Sequence, residues 1–258
     1  MAVDRAGRAD LHIHSSHSDG MASVGEIMRY VENETELDVI AIADHDQIAG
    51  AIEAARWCAE RPNGRVQAVV GTEISASWGR HVLALFFGEP FPERPFPRFR
   101  PLRETVARVR DAGGLVVVPH ALSALVPSLG ERALTHLLAG PTVCATVAGV
   151  ETCSGVIGGR HSEARLRRLN AAQWRLAAVG SSDAHHLIQI GSAYTTFPGT
   201  TPGDLKTALM ERSTQAHWAA AQTARVTVRS HAHQGWRSLV VKPARELRAA
   251  LAGLNRSR

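Results

Sequence analysis

The chain has 258 residues, of which 45% are hydrophobic and 21% charged, with a formal net charge of +5 when histidines are neutral. That is enough chain for one large domain with its own core, and the composition excludes a disordered or collagen-like protein. No run of about 18 apolar residues occurs, so a membrane-spanning helix is not expected, and the charged start (Asp4, Arg5, Arg8) does not read as a secretory leader. Three scattered cysteines, Cys58, Cys144 and Cys153, make no disulfide framework and point to a reducing, cytoplasmic setting.

In chain order, "DLHIH" alternates apolar and polar residues as a strand does, placing Leu11 and Ile13 on one face and Asp10, His12 and His14 on the other. "SVGEIMRYVEN" reads as a helix, with Ser23 and Glu26 as a capping box. "DVIAIA" is a buried-type strand that ends at Asp44, His45 and Asp46. A helix over 48–60 stops near Pro62-Asn63-Gly64. Strands "VQAVVGTE" and "HVLALFF" follow, the first ending at Glu73 and the second starting at His81. Residues 88–101 carry prolines at 90, 92, 95, 97 and 101, which rules out regular structure and predicts a rim loop or lid.

A helix over 102–114 leads to the strand "LVVVPH", ending at His120. A helix over 131–140 precedes the strand "TVAGVE", ending at Glu151. A helix over 162–174 precedes "RLAAVGSSDAHH", a strand running into Asp183 and His185, and a last helix spans 201–213 with Pro202 near its start. Residues 224–258 form a basic C-terminal extension, expected to be a helix packed on the main body and open to contact with lipid, nucleic acid or a partner.

Seven strands alternating with helices predict an α/β fold with a mainly parallel sheet, closed into a barrel over residues 1–223. His14, His45, Glu73, His120 and Asp183 each follow the apolar part of a strand. In a barrel those positions share one rim, at the C-terminal ends of the strands. Imidazoles and carboxylates in such numbers suit Mn, Zn or Fe.

"DLHIHSSHSDG", "IAIADHD", "VVGTEIS", "HVLALF" and "GSSDAHHLIQIGSAYTTF", in that order, resemble the PHP (polymerase and histidinol phosphatase) family from about Asp10 to about Phe197. The resemblance implies a distorted seven-stranded (β/α)7 barrel holding two or three divalent ions at its mouth. It assigns His12, His14 and Asp183 to a first ion, Glu73 to a bridge between the first and second, His81 and His120 to the second, and Asp19, His45 and His185 to the third. Two local departures are visible: Ala43-Asp44-His45 replaces Thr-Asp-His, and Pro119-His120-Ala121 replaces His-Pro.

The implied function is metal-dependent hydrolysis of a phosphomonoester or phosphodiester by a metal-bound hydroxide. The substrate is expected to be a nucleotide, a short oligonucleotide or a small phosphorylated metabolite. A C–N hydrolase of amidohydrolase type also uses H-x-H on a barrel strand with a late Asp, and a non-catalytic metal-containing nucleic-acid-binding module is a third reading. Three further residues are catalytic candidates. Asp10 is expected to orient a ligand imidazole. Asp44 suits ligand holding or proton transfer, although Asp46 and Asp44 equally suit turn chemistry. Arg160 is placed to grip a phosphate. Glu151 reads equally as structural or functional, and Cys153 as a small buried hydrophobe. Oligomeric state and metal identity stay open.

Overall fold

The structure, a computed structural model, describes residues 5–156 and 158–220. The basic extension expected over 224–258 lies outside the described residues. In chain order the elements are β1 (Gly7–Ile13), α1 (Val24–Glu34), β2 (Val39–Ile42), α2 (Ala49–Ala59), β3 (Gln67–Ser75), β4 (His81–Phe86), α3 (Leu102–Asp111) and β5 (Leu115–Val118). There follow α4 (Glu131–Leu138), α5 (Pro141–Cys144), β6 (Val147–Ser154), α6 (Gly159–Leu169), β7 (Ala177–Ser181), β8 (Ala193–Phe197), α7 (Pro202–Glu211) and β9 (Gln215–Trp218). Among the described residues no helix is long and apolar enough to cross a membrane.

The strands form one sheet in the order β7-β6-β5-β4-β3-β2-β1-β8-β9. It curls until its arms meet: Ile13 bridges Ala184, with the His14 N–H donating to the Ala184 carbonyl at 2.8 Å. The result is a nearly closed barrel. The seven expected strands are β1 to β7; β8 and β9 are additional, and their antiparallel pairs continue the sheet beyond β1.

The sheet is mixed, with four parallel and four antiparallel pairs, and among the seven expected strands parallel pairing prevails. β1–β2, β2–β3, β5–β6 and β6–β7 are parallel, whereas β3–β4 and β4–β5 are antiparallel. The reason is connection length. Only residues 76–80 separate β3 from β4, far fewer than a helical crossover needs. β4 therefore runs back down the barrel, and His81 enters the rim from the start of its strand, opposite Ser75. The proline-rich segment climbs the outside of the barrel, where Phe91 and Phe96 pack against the outer core. Its end reaches the rim, where the Phe99 N–H donates to the Ser75 carbonyl at 2.7 Å.

Two apolar layers hold this shape. Outside the sheet, Ile27, Met28 and Val31 of α1, Val106 and Val109 of α3 and Leu134 of α4 cover the outward residues of the strands. Inside, Leu11, Val69, Leu83, Leu85, Val117 and Val179 fill the barrel, and Leu205 and Leu209 of α7 close the end away from the rim. Ser23 caps α1 as expected, its side chain accepting from the Glu26 N–H while the Glu26 carboxylate accepts from Ser23 N. Both plug leucines are fully buried. Leu209→Ala is expected to destabilise the fold by about 2–5 kcal/mol, measured by denaturant unfolding. A loss no larger than that of a surface substitution would show that α7 does not close the barrel.

Candidate metal centre

The first strand supplies two imidazoles through an irregularity. Strict alternation would put Leu11 and Ile13 on one face, but the β1–β2 register shifts between Asp10 and Ile13. Leu11 packs in the inner core and Ile13 in the outer one. A bulge of this kind re-aims side chains, and His12 and His14 converge with their Nε2 atoms 3.2 Å apart. The loop after β1 returns through Gly20, where any side chain would run into the His14 carbonyl.

Glu73 lies at the centre of the cluster and is 1% exposed. Its Oε1 is 2.7 Å from His81 Nδ1 and 3.0 Å from His120 Nε2. Its Oε2 is 3.0 Å from His45 Nδ1, 3.2 Å from His12 Nε2 and 3.5 Å from His14 Nε2. Asp183 Oδ1 lies 2.9 Å from His14 Nε2 and 3.5 Å from His12 Nε2. Asp19 completes the far side, 3.4 Å from His185 Nε2 and 3.8 Å from His45 Nε2.

All nine expected ligands therefore meet. Their donor atoms fall into four overlapping sets compact enough for an ion: His14, Asp19, His45 and His185; His12, His14 and Asp183; His12, Glu73 and His120; His45, Glu73 and His81. Glu73 belongs to two of them. His14 stands between two others, its Nε2 toward Asp183 and its Nδ1 3.9 Å from Asp19. The donor set fits a divalent ion of the Mn, Zn or Fe type. His14 Nδ1 and His120 Nδ1 are buried without a hydrogen-bond partner, and paired Nε2 atoms 3.2 Å apart need a proton or a cation between them.

The backbone is strained where it delivers these groups. His120 (φ 31°), Asp183 (φ 50°) and Asp46 (φ 51°) all adopt left-handed conformations that L side chains seldom take. The positive φ at His120 breaks the strand alternation after Val118 and leaves its buried ring beside Glu73.

The other sequence candidates take different places. Asp10 does not orient an imidazole; its carboxylate accepts from Ser182 N at 3.0 Å and Gly191 N at 2.8 Å, tying β1 to the chain beyond β7. Burial pushes its pKa up to about 6, against the lowering effect of those bonds. The imidazole-orienting carboxylate is Glu151, which the sequence left undecided. Its Oε1 lies 2.9 Å from His12 Nδ1, and its Oε2 accepts from His120 N at 2.8 Å. Asp44 faces the loop that carries Asp19, accepting from Ser15 N at 2.7 Å, Ser15 Oγ at 2.6 Å and Ser18 Oγ at 2.5 Å. Asp46 clamps β2 to β3, accepting from Ser75 N at 2.7 Å and Ser75 Oγ at 2.9 Å. Arg160 stacks over Trp218, 4.1 Å from the ring centroid. Cys153 packs beside Arg167 and Glu163, and burial pushes its thiol up to about 11, away from reactivity.

Residues 163–214 match the family model described as PHP-associated. An uncharacterised protein of Methanocaldococcus jannaschii is 31% identical over 136 residues, which span 48% of this chain and 74% of that relative. The chain belongs to the PHP family. A 5′-3′ exoribonuclease of Haemophilus influenzae is 37% identical to this PHP protein over 89 residues, 33% of this chain and 30% of its own length. A 3′,5′-nucleoside bisphosphate phosphatase of Chromobacterium violaceum is 36% identical over 74 residues, 29% and 25% of the two chains. This chain thus spans under a third of the length of those two relatives. The fold matches PsfC from Pseudomonas syringae with a TM-score of 0.64 at 19% identity, covering 90% of this chain and 98% of the other. It also matches a two-domain protein from Bacteroides vulgatus, containing a predicted PHP-like metal-dependent phosphoesterase, with a TM-score of 0.61 at 18% identity over 83% and 65% of the chains.

Without cations, protons do the balancing in this PHP site. Burial pushes the His185 imidazolium down, but the Asp19 carboxylate beside it prevails and lifts its pKa to about 9. Burial likewise opposes charge on His12, and Asp183, Glu73 and Glu151 raise its pKa nonetheless. Since the His185 pKa is raised, its ion pair stabilises the metal-free fold below about pH 6.5, and that contribution fades as pH rises through about 9. Metal ions compete with the same protons. Titrating metal-free protein with Mn2+ near pH 7 is expected to release protons, seen calorimetrically as a dependence on buffer ionisation enthalpy. His185→Asn reduces the release. Metal uptake with no proton release would contradict this charge assignment.

Proposed function

We propose that this protein is a divalent-metal-dependent phosphoesterase acting on nucleotide-type phosphomonoesters or phosphodiesters. The observation that carries the reading is Glu73, a buried carboxylate whose two oxygens face separate imidazole sets. A carboxylate so placed can bridge two neighbouring cations. Divalent ions bound there supply Lewis acidity, making water more acidic and neutralising charge that builds on a phosphate.

The chain's own residues prepare the site for this. Glu151 is placed to accept from His12 Nδ1–H, an arrangement that would leave His12 Nε2 free to ligate an ion held beside Glu73 and Asp183. Glu151 also accepts from the backbone of His120, so one carboxylate sets two ligand positions. Asp44 and Asp46 hold the loops on which Asp19 and His45 depend. Asp10, Asp44 and Arg160 are accordingly assigned no part in bond breaking; the first two are positioning residues. Two relatives sharing part of this chain are, by name, a 5′-3′ exoribonuclease and a 3′,5′-nucleoside bisphosphate phosphatase, which supports nucleotide-type phosphoesters over other metabolites.

Chelation is expected to abolish hydrolysis of a phosphoester panel, and added Mn2+ to restore it. Full turnover by metal-free protein, or cleavage of cyclic amides with none of phosphoesters, would overturn the reading. Glu151→Gln is expected to lower metal affinity or activity about 10–100-fold. Raising Mn2+ concentration should recover part of that loss. An unchanged Mn2+ dependence in this variant would remove Glu151 from its orienting role.

A further inference from the structure

Two large aromatic side chains are left in water beside the metal centre. Trp78 is 89% exposed and Phe99 63% exposed. Trp78 occupies the tight turn that joins β3 to β4, and Phe99 ends the proline-rich segment. Backbone hydrogen bonds hold the two segments side by side: Phe99 N donates to the Ser75 carbonyl at 2.7 Å, and Ser77 N donates to the Arg100 carbonyl at 2.8 Å. Both residues are in the left-handed region, with φ of 64° for Trp78 and 57° for Phe99. Bulky L residues rarely adopt it, and strain of this kind gathers at functional sites. Exposure adds a hydration cost that no core contact offsets.

The location is as informative as the exposure. Ser75 pairs with the ligand His81 across the hairpin, and Asp46, the neighbour of His45, bonds the Ser75 amide and hydroxyl. Trp78 lies three residues beyond that rung, within about 10 Å along the chain at ~3.3 Å per residue. Arginines flank the aromatics at 80, 98 and 100. The Arg98 guanidinium carbon is 5.6 Å from the Phe99 ring centroid, and Arg98 Nη1 is 3.8 Å from Asp46 Oδ2. Arg100 pairs with Glu104 at 3.0 Å.

We propose that Trp78 and Phe99 form a stacking site for the bases of single-stranded nucleic acid, with Arg80 and Arg98 meeting the backbone phosphates. Flat rings interleaved with guanidinium groups are the chemistry by which proteins hold unpaired strands without reading their sequence. Two isolated rings with a cationic rim suit neither a protein interface, which needs a larger apolar centre, nor a lipid surface, which needs a continuous apolar face. Trp78 lies in the turn of the hairpin that carries Glu73 and His81, so the inference rests on the phosphoesterase reading for its purpose. Its test does not require turnover.

The experiment is fluorescence anisotropy of a labelled short oligothymidylate titrated with the full chain in chelator at moderate salt. Trp78→Ala is expected to weaken binding about tenfold, and the Trp78→Ala/Phe99→Ala double variant further, while Trp78→Phe retains most of the affinity. Arg98→Ala should flatten the salt dependence. Hydrolysis of a small phosphoester without a base should stay at the parent rate in the three aromatic variants. An unchanged oligonucleotide affinity in the double variant would overturn the proposal. So would equal losses on duplex DNA, or a Trp78-dependent retention by anionic vesicles without one on the oligonucleotide. Trp78-dependent strand binding by a protein that hydrolyses no phosphoester would leave the stacking site standing and remove the phosphoesterase reading instead.

Discussion

A carboxylate buried among imidazoles sets the terms for the rest of this molecule. Glu73 lies within 3.5 Å of nitrogens from five histidines and is shut off from water. Burying an unpaired charge is among the most expensive things a fold can do. Asp19, Glu73, Glu151 and Asp183 together bring four negative charges to the cluster when ionised. Bound divalent cations would offset those charges. In their absence protons take over, which is why the carboxylates hold the pKa values of His12 and His185 up against burial.

Such a cluster works only if its geometry is held independently of the ions. The fold assigns that task to a separate group of acids. Asp10 joins β1 to the chain after β7, Asp44 gathers Ser15 and Ser18, and Asp46 binds Ser75. Each accepts from backbone or hydroxyl donors, so each fixes a strand end or loop. The left-handed residues at Asp46, His120 and Asp183 concentrate strain at the same rim. Packing on both sides of the sheet keeps these positions in place, as preorganised sites require.

Much of this was legible in the sequence. All nine residues expected to ligate metal meet in the structure, because most lie at or just beyond the C-terminal ends of parallel strands that share a rim, and His81 joins them from the start of the reversed β4. The reversal of β4 was also written there, in the few residues between Glu73 and His81, but alternation of strands and helices suggested parallel pairing instead. The β1 bulge was not visible, since it arises from register with β2, and so Asp10 was placed with the histidines. Glu151 could not be separated from any other strand-end acid until the fold set it against His12. Arg160 falls in the first turn of α6, and its stacking on Trp218, far along the chain, was not readable from the sequence. Trp78 and Phe99 are neighbours only through tertiary backbone contacts.

Anomalous diffraction from crystals grown with Mn2+ tests the central claim most directly. The account predicts manganese peaks at two places beside Glu73, each with histidines of this cluster as further ligands. Manganese bound elsewhere, with Glu73 touching none of it, would contradict the account.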